Sequence, residues 1–508
     1  MERDGSLKSL WQEEDRSSNN AQSGTITHYD VIIAGAGITG CTTALELARA
    51  GRKCLLMEAH DIGFGTTGGT TAHLNTILDH TFPEIISNFG KEAAQLVARG
   101  LRSALQLVAE NVRQYGIDCG HAWKEGYLCS SDRKQTDELE DIYRASSEVG
   151  VDVEWSDRAP IDRKFEKVMQ IKAQAQMHPT RYIRALVQEF QKLGGQFVPN
   201  CRVHTVDDKD PLLVKTSLGE FRCDRFIYAT HIPPGINLLH FRCAPYRSYV
   251  MAAELSDDRY PDGLVYDMED PYHYYRTQQI DGRNYLIAGG KDHKTGHEDD
   301  HLSKFTELRQ HLDKYFNIRQ VTHQWSSQYF ETTDGLPYIG TLPGHDERVM
   351  VATGFSGNGI TLGTLSAIAF REKIEKGKSA YIDLFDPKRI SPIAGFTDFV
   401  KENADVIGHM FSKPFLAEKV KEIEEIGPGE GKLVKYEGDQ LAVHRDRNGG
   451  LHVVDPICTH AKCTVKWNNA ELSWDCPCHG SRFGIDGTAL TAPATRDLEQ
   501  VRPHKKEH

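Results

Sequence analysis

The sequence predicts a multidomain fold in which an α/β domain carries an inserted antiparallel sheet and precedes a small all-β module. Three observations support this prediction. A glycine-rich turn at 35–40 joins an apolar run to a segment of helical composition. Alternating residues over 244–290 indicate antiparallel strands. Short apolar runs between glycine turns begin after residue 427 and are typical of a small β-module.

The α/β domain opens with a β-α-β unit. Residues 29–34 (YDVIIA) form a β-branched run typical of a buried parallel strand, and 53–59 (KCLLMEA) form a second one. The residues at 41–50 between them have helical composition, and Gly51 ends this helix.

Later segments complete the α/β domain. A short buried strand is predicted at 224–230, and 347–370 is predicted to form a strand, a glycine-rich turn and a helix. Helices are predicted at 91–115, 181–193 and 302–316. The domain is therefore assembled from distant segments, with another domain inserted between them.

The turn after the first strand has the spacing Gly-x-Gly-x-x-Gly. Its first glycine permits a tight turn, its second lets a pyrophosphate approach the backbone, and its third packs the helix on the strand. The helix amino end adds positive potential, and Glu58 at the end of the second strand can accept both ribose hydroxyls. The motif predicts a dinucleotide site formed by Gly35, Ala36, Gly37, Ile38, Thr39, Gly40 and Glu58.

The composition argues against some classes of function. A net charge of −12 and a pI near 6.0 argue against a nucleic-acid partner, because phosphate binding needs a positive field. No apolar stretch is long enough to predict a transmembrane helix. Residues 1–25 are polar, lack the apolar region of a secretory signal and predict a loose tail. Scattered cysteines before residue 250 are typical of a reducing compartment, which predicts a cytoplasmic location.

Several segments carry a recognisable set of motifs: DVIIAGAGITG (30–40), GFGTTGGTTAHLN (63–75), HPTRYIRAL (178–186), IYATHIPP (227–234), TTDGLPYIG (332–340) and ATGFSGNGITLG (352–363). Together they resemble the D-amino-acid-oxidase-like family of FAD oxidoreductases over about residues 28–375, although His231 stands where that family often has glycine. The resemblance implies FAD as the cofactor. It implies further FAD contacts by Thr66, Thr67, His73, Val203, Ala229, Thr230, Gly354, Gly357, Asn358, Gly359 and Ile360.

The resemblance also implies roles for these segments. In this family the loop with Thr66 and Thr67 passes the flavin, and 354–360 brings backbone N–H groups to its pyrimidine end. A helix amino end there would stabilise the anionic reduced flavin. One branch of the family bonds FAD covalently to a histidine after a similar loop, but Ala72 here replaces the tryptophan of that branch. His73 is therefore either a covalent attachment or a polar neighbour of the flavin.

The family places its substrate over the flavin, on an inserted sheet that corresponds to about 240–325 in this sequence. In the segment PYHYYRTQQ, strand alternation puts Tyr272, Tyr274 and Arg276 on one face. An arginine among tyrosines can hold a carboxylate, which predicts Tyr274 and Arg276 as catalytic residues. A solvated strand with a snorkelling arginine is the alternative.

Two thiols and two imidazoles near the carboxyl end follow the spacing C-x-H-x15-C-x-x-H: Cys458, His460, Cys476 and His479. Such a set could hold tetrahedral zinc. However, each loop supplies one cysteine and one histidine, which suits a two-iron cluster with both cysteines on one iron. The motifs CTHAKC, CPCHGSRF and APATRDLE resemble the Rieske family over about 427–505, which implies a [2Fe-2S] cluster in a small β-sandwich.

The Rieske resemblance implies further features. In respiratory-chain members, cysteines at the positions of Cys463 and Cys478 form a disulfide; two free thiols are the alternative. Ser481 matches a serine that bonds a bridging sulfide, and Phe483 stands where those proteins have a tyrosine that donates to a cysteine sulfur. One fewer donor predicts a reduction potential in the lower part of the Rieske range.

These segments predict a polar tail (1–25), an FAD oxidoreductase domain (26–380), a helical linker (381–420) and a Rieske domain (421–508). The predicted function is the oxidation of a small-molecule amine or amino acid by hydride transfer to the flavin. Electrons would then pass through the cluster to an acceptor protein or a quinone. A redox sensor or electron-transfer protein without an organic substrate is the alternative.

Overall fold

The computed structural model of the protein describes residues 3–12, 28–389, 418–419 and 423–502. Most of the predicted helical linker at 381–420 lies outside these residues. Among the residues described, no helix is long and apolar enough to cross a membrane.

The strands, in chain order, are β1 (His28–Ala34), β2 (Cys54–Met57), β3 (His73–Leu74), β4 (Ala122–Ser130), β5 (Val153–Ser156), β6 (Lys167–Gln176), β7 (Gln196–Val198), β8 (Val203–Asp207), β9 (Leu212–Thr216), β10 (Gly219–Tyr228), β11 (Cys243–Leu255), β12 (Leu264–Asp267), β13 (His273–Ile280), β14 (Arg283–Lys294), β15 (Ile318–Thr332), β16 (Tyr338–Thr341), β17 (Val349–Thr353), β18 (Glu418–Lys419), β19 (Gly431–Tyr436), β20 (Asp439–Arg445), β21 (Leu451–Val454), β22 (Lys466–Asn468), β23 (Ser473–Asp475), β24 (Arg482–Phe483) and β25 (Ala489–Thr491). The α-helices are α1 (Ile38–Arg49), α2 (Thr66–Gly69), α3 (Phe82–Phe89), α4 (Lys91–Tyr115), α5 (Arg133–Glu148), α6 (Pro179–Lys192), α7 (His301–Leu312), α8 (Gly359–Lys376) and α9 (Ala380–Phe385). A short 3-10 helix spans Leu238–Phe241.

The first sheet is the predicted Rossmann-like core. Its strand order is β16-β17-β10-β1-β2-β7, and β1 runs parallel to both β2 and β10. The residues of β1 from Val31 to Ala34 are buried, which explains their continuous apolar run. The carboxyl ends of β1 and β2 place the glycine turn and Glu58 at one edge of the sheet, where ligands of such folds bind.

The second sheet is larger than the predicted insertion at 240–325. Its order is β15-β11-β14-β13-β12-β4-β6-β3, with β5 beside β6. Four of these strands, β3 to β6, lie between residues 73 and 176, and β12 runs parallel to β4, so the sheet is mixed. Alternation predicted strands after residue 243, but it could not indicate that they pair with segments more than a hundred residues earlier.

The carboxyl-terminal module contains two four-stranded sheets, β18 to β21 and β22 to β25. Its core includes the fully buried Trp474 and Phe483. The loop after β21 and the loop after β23 carry the four predicted metal ligands. The sheets therefore act as a rigid frame that brings the two loops together.

The predicted loose tail is wrong for residues 3–12, which pack against both domains and are mostly buried. Arg3 donates to Glu471 of the module at 3.2 Å, and Arg482 pairs with Asp4 at 3.1 Å. Trp11 is fully buried against the second sheet. The polar composition was misleading because these charges are paired inside the interface rather than solvated.

Candidate functional site

A cavity of about 830 Å³ begins at the glycine turn and extends between the two sheets of the larger domain. Gly35 has φ +106°, and a Cβ added there would lie 2.4 Å from the Ala229 carbonyl oxygen. A Cβ at Gly40 would lie 1.8 Å from the Gly35 oxygen, so the third glycine lets α1 pack on the turn. The volume is within the range of about 300–1,000 Å³ that is common for ligand sites.

Glu58 faces this cavity from the end of β2. Its carboxylate accepts hydrogen bonds from the Ala36 N–H at 2.8 Å and the His60 N–H at 3.0 Å. Burial raises the pKa of Glu58, and the two N–H donors oppose that rise. The carboxylate is thus held rigidly beside the turn, in the place expected of a ribose acceptor.

Most of the predicted FAD residues line this one cavity: Gly35, Gly37, Ile38, Thr39, Glu58, Thr66, Thr67, His73, Val203, Ala229, Thr230, Gly357, Asn358, Gly359 and Ile360. The predicted residues Ala36, Gly40 and Gly354 are not among those that line it. A Cβ added at Gly65 or Gly359 would meet no protein atom within 4 Å, although both residues line the cavity. The space beside these glycines fits a ligand that passes close to the backbone, as FAD does.

Hydrogen bonds between Asp79 and the loop residues Gly357 and Asn358 hold the loop before α8 in place. The Gly357 N–H donates to Asp79 at 2.6 Å, and the Asn358 side chain accepts from the Asp79 N–H at 3.0 Å. The role implied for the Gly357 N–H, donation to the flavin, is therefore not what this geometry shows. The amino end of α8, which begins at Gly359, still faces the cavity.

His231 lines the cavity at the position where the sequence departs from its family. Its backbone has φ +69°, the conformation that glycine adopts most easily. Its Nδ1 lies 3.3 Å from the Thr66 hydroxyl, and its carbonyl accepts from Thr353 at 2.6 Å. The backbone shape is therefore kept, while an imidazole is added to the cavity wall.

His73 lies in β3 and also lines the cavity. Its Nδ1 is 3.0 Å from the Thr71 hydroxyl, and its buried Nε2 has no hydrogen-bond partner among the described residues. Burial holds the pKa of His73 well below its usual value, so the imidazole is neutral. A cavity-lining histidine with an unpartnered nitrogen is compatible with either predicted role, and covalent attachment stays an open prediction.

The structure does not place Arg276 in the cavity, so the prediction that it holds a substrate carboxylate is wrong. Its guanidinium is fully buried and donates to the Thr71 and Met177 carbonyls at 2.5 and 3.1 Å and to Gln278 at 2.6 Å. Tyr274, two residues earlier, does line the cavity. Arg276 shares the face of Tyr274 but lies about 7 Å further along the strand, beyond the cavity wall.

The predicted cluster ligands come together in the carboxyl-terminal module. Cys458 and Cys476 are buried free thiols, and the Nδ1 atoms of His460 and His479 are buried without a partner among the described residues. A hydrogen bond from the Cys476 thiol, with others from the His460 N–H and Ser481, lowers the pKa of Cys458 to about 7. Two thiolates and two neutral imidazoles with free Nδ1 atoms fit a Rieske [2Fe-2S] cluster.

A disulfide joins Cys463 to Cys478, the pair that the Rieske resemblance implies. It connects the two ligand loops, one residue before His479 and five after Cys458. The Ser481 hydroxyl accepts from the Ala494 N–H at 3.1 Å, which connects the second ligand loop to the segment APATRDLE (492–499). The cluster site is therefore closed on two sides by covalent and hydrogen-bonded contacts.

The cluster imidazoles face the larger domain rather than solvent. His460 Nε2 donates to the Gly235 carbonyl at 3.1 Å and lies 3.2 Å from His240 Nδ1. His240 also contacts the ring of His479, with 5.8 Å between ring centroids. Donation from Nε2 leaves Nδ1 of His460 as the atom available to iron. No sequence motif indicated that Gly235 and His240 would meet the ligands.

Comparison with known proteins agrees with this geometry. Residues 30–372 match the model of the DAO family, described as FAD dependent oxidoreductase. The chain belongs to this family. Residues 417–502 match the Rieske [2Fe-2S] domain, so this DAO-family oxidoreductase has FAD and a Rieske cluster as its cofactors.

Individual relatives of this DAO-family protein cover one or both domains. The Rieske-type iron-sulfur protein YhfW of Bacillus subtilis is 32% identical over 94% of both chains. Gamma-glutamylputrescine oxidoreductase of Escherichia coli is 21% identical over 70% of this chain and 85% of its own. Glycine oxidase from Geobacillus kaustophilus shares the fold at a TM-score of 0.60 and 17% identity, over 72% of this chain and all of its own.

Proposed function

We propose that the protein oxidises an amine or amino acid and passes the electrons through its Rieske cluster to an external acceptor. When bound, FAD accepts a hydride from the C–H bond beside the substrate nitrogen, and the cluster exchanges single electrons. The substrate loses two electrons and two protons in all and becomes an imine, which water hydrolyses. Relatives named for gamma-glutamylputrescine and glycine support a nitrogen-bearing substrate.

One observation carries the proposal: a single short segment contacts both cofactor sites. Ala229, Thr230 and His231 line the cavity, and the same segment continues to Gly235, whose carbonyl accepts from His460. His240 then donates from Nε2 to the Pro233 carbonyl at 2.9 Å, which holds its ring against the cluster imidazoles. We propose this segment, 229–240, as the path between flavin and cluster.

The same contacts constrain the acceptor. His460 is 8% exposed and His479 is 2% exposed, because the larger domain covers them. A quinone could therefore not reach these imidazoles without displacing Gly235 and His240. We infer that the acceptor, a protein or a quinone, receives electrons from another side of the cluster.

The test is anaerobic mixing of the holoenzyme with a panel of amines and amino acids. The proposal expects bleaching of the flavin absorbance, followed by the electron paramagnetic resonance signal of the reduced cluster. A Cys476→Ser variant should lose the cluster signal and keep flavin bleaching. If an oxidised flavin persists with every compound and with cell extract, the enzyme proposal fails and a redox sensor is the better account.

A further inference from the structure

One end of the cavity, here called the tyrosine end, combines aromatic rings with a buried carboxylate. It consists of Tyr266, Tyr272, Tyr274, Tyr329 and Asp292, which all line the cavity. The rings of Tyr272 and Tyr274 lie 5.7 Å apart between centroids. Such a wall offers electron-rich faces to a ligand.

Asp292 is the centre of a chain of hydroxyl groups. The Ser248 hydroxyl donates to Asp292 Oδ1 at 2.5 Å, and the Tyr329 hydroxyl donates to Oδ2 at 2.9 Å. The Tyr274 hydroxyl lies 2.8 Å from Ser248 Oγ and donates to it, since the Ser248 proton is already used. The carboxylate is therefore fixed in position by neutral donors.

Asp292 has no lysine or arginine partner among the described residues, unlike Asp267 and Glu269. Asp267 and Glu269, which also line the cavity, share the guanidinium of Arg163 at 3.3 and 2.6 Å. Burial raises the pKa of Asp292 to about 7, and nearby Asp79 adds to the rise. This carboxylate lacks the positive charge that normally accompanies a buried acid.

The described residues at this end of the cavity include no lysine or arginine that could pair with a substrate carboxylate. Among the described residues that line the cavity as a whole, the side chains of lysine or arginine are Arg202 and Lys134. Arg202 is engaged far away, where it donates to the Ala489 carbonyl at 2.9 Å, and Lys134 is exposed on α5. Glu331 is a further carboxylate close to Asp292, and burial raises its pKa to about 7. A carboxylate placed here would therefore lie close to two other carboxyl groups, which disfavours its binding.

We propose that the tyrosine end binds the ammonium group of a cationic amine that has no carboxylate, with Asp292 as its counter-ion. This inference rests on the proposed function and narrows its substrate class from amines and amino acids to cationic amines. The tyrosine rings surround the ammonium group, and Asp292 neutralises it. Amino acids are disfavoured because the described residues of this part of the cavity include no lysine or arginine to pair with their carboxylate, while Asp292 and Glu331 would repel it.

Matched pairs of compounds test the substrate class. The pairs are 1,4-diaminobutane with ornithine and 1,5-diaminopentane with lysine, whose members differ only in the carboxylate. The diamine of each pair should reduce the flavin of the holoenzyme with an apparent affinity about tenfold higher or more. If ornithine and lysine perform as well as the diamines, the inference is overturned while the proposed function stands.

If no amine reduces the flavin, the inference can still be tested by measuring the binding of cations that the enzyme cannot oxidise. Calorimetry should show that tetramethylammonium binds the wild-type holoenzyme and that Asp292→Asn weakens it about tenfold or more. Asp281→Asn, an exposed acid at the β13–β14 turn that pairs with Arg181, is the control and should bind as wild type. Equal binding by Asp292→Asn and wild type would overturn the inference.

A neutral isostere gives an independent result on the wild-type protein, should Asp292→Asn fail to fold. Choline and 3,3-dimethyl-1-butanol have the same shape, but only choline is charged. Choline should bind about tenfold more tightly or better. Equal affinity for the two compounds would show that the tyrosine end does not recognise charge. Failure of every compound to reduce the flavin would instead count against the proposed function.

Discussion

At the scale of single residues, the hydrogen bonds around the cluster determine its potential. Phe483 is fully buried in the module core, and Ser481 is hydrogen-bonded to Cys458. Donors to cluster sulfurs favour the reduced state because they stabilise its added negative charge. Substitutions at Phe483 and Ser481 should therefore shift the reduction potential of the cluster in opposite directions.

We predict that Phe483→Tyr raises the reduction potential of the cluster and that Ser481→Ala lowers it. The tyrosine adds a donor near a cysteine sulfur, and the alanine removes one. Redox titration followed by electron paramagnetic resonance measures both. An unchanged or lower potential in Phe483→Tyr would contradict the prediction.

Asp292 is buried with no lysine or arginine partner among the described residues, so its ionisation should lower the free energy of unfolding in a pH-dependent way. Its pKa is about 7 when folded and near 3.8 when unfolded, so the folded state binds the proton more tightly. The stabilisation from protonation of Asp292 in the folded state is fully present below pH 3.8. It is lost as the pH rises through about 7. Asp79, Glu331, Ser248 and Tyr329 are the ionisable or hydrogen-bonding groups around it.

We therefore predict that Asp292→Asn increases the free energy of unfolding at pH 8 by about 1 kcal/mol or more, since one pKa unit corresponds to about 1.4 kcal/mol. At pH 4 the variant and wild type should be nearly equal, because Asp292 is then protonated. Denaturant titrations of the substrate-free holoenzyme at the two pH values measure this. If Asp292→Asn is less stable than wild type at pH 8, the surrounding groups already stabilise the ionised Asp292 carboxylate and the prediction is wrong.

At the scale of elements, segment 229–240 connects the end of β10 to the cluster. The 3-10 helix Leu238–Phe241 at the end of this segment is capped by Asn237, whose side chain accepts from the Leu239 N–H at 3.0 Å. This cap orients the helix so that His240 is buried while Leu238 is exposed. One helix therefore offers both a test position and a control.

We predict that His240→Ala slows reduction of the cluster by the flavin several-fold and leaves flavin reduction by substrate unchanged. The reason is that the alanine opens a gap between the segment and both cluster imidazoles. Stopped-flow absorbance under anaerobic conditions separates the two steps, and electron paramagnetic resonance checks that the cluster is intact. Leu238→Ala, on the same helix, should behave as wild type. Equal rates of cluster reduction in the two variants would refute the proposal that segment 229–240 is the electron path.

At the scale of the whole molecule, a buried group of charges holds the two domains together. Glu471 of the module is fully buried and accepts from Arg3 at 3.2 Å and from the N–H and hydroxyl of Ser326 at 2.8 Å each. Arg247 of the second sheet pairs with Asp475 at 3.3 Å. Such contacts fix one relative orientation of flavin site and cluster, since every buried charge needs its partner.

We predict that Glu471→Ala lowers the free energy of unfolding by about 3–5 kcal/mol. Arg3 keeps Asp4 as a partner at 2.7 Å, but the buried group then holds three arginines and two carboxylates, which leaves one positive charge uncompensated. Thermal unfolding followed by the visible absorbance of the cluster and the flavin measures the loss. Glu499→Ala, an exposed glutamate of the same module, should change stability by less than about 0.5 kcal/mol. Similar values for the two variants would show that the charge group does not stabilise the interface.

Local spacing predicted a dinucleotide site and a metal site, and the resemblance of the surrounding motifs to known families implied FAD and a [2Fe-2S] cluster. The turn at 35–40 with Glu58 is recognisable from residue types and spacing, and so is the alternation of two cysteines and two histidines over residues 458–479. The helices at 91–115 and 302–316 were predicted within a few residues, because their amphipathic period is also local. The strands β3 to β6 were assigned to no sheet, because their partners are distant in the chain.

The sequence by itself determined that this protein carries a flavin site and a Rieske cluster. Only the tertiary structure decided that Arg276 does not line the cavity and that His240 meets the cluster imidazoles. It also decided that Asp292 lines the cavity with no lysine or arginine partner in the described part of the chain. These placements depend on sheet pairing and on domain docking between residues up to several hundred positions apart. Side-chain type indicates what a group can do, but the surrounding fold decides which partner it meets.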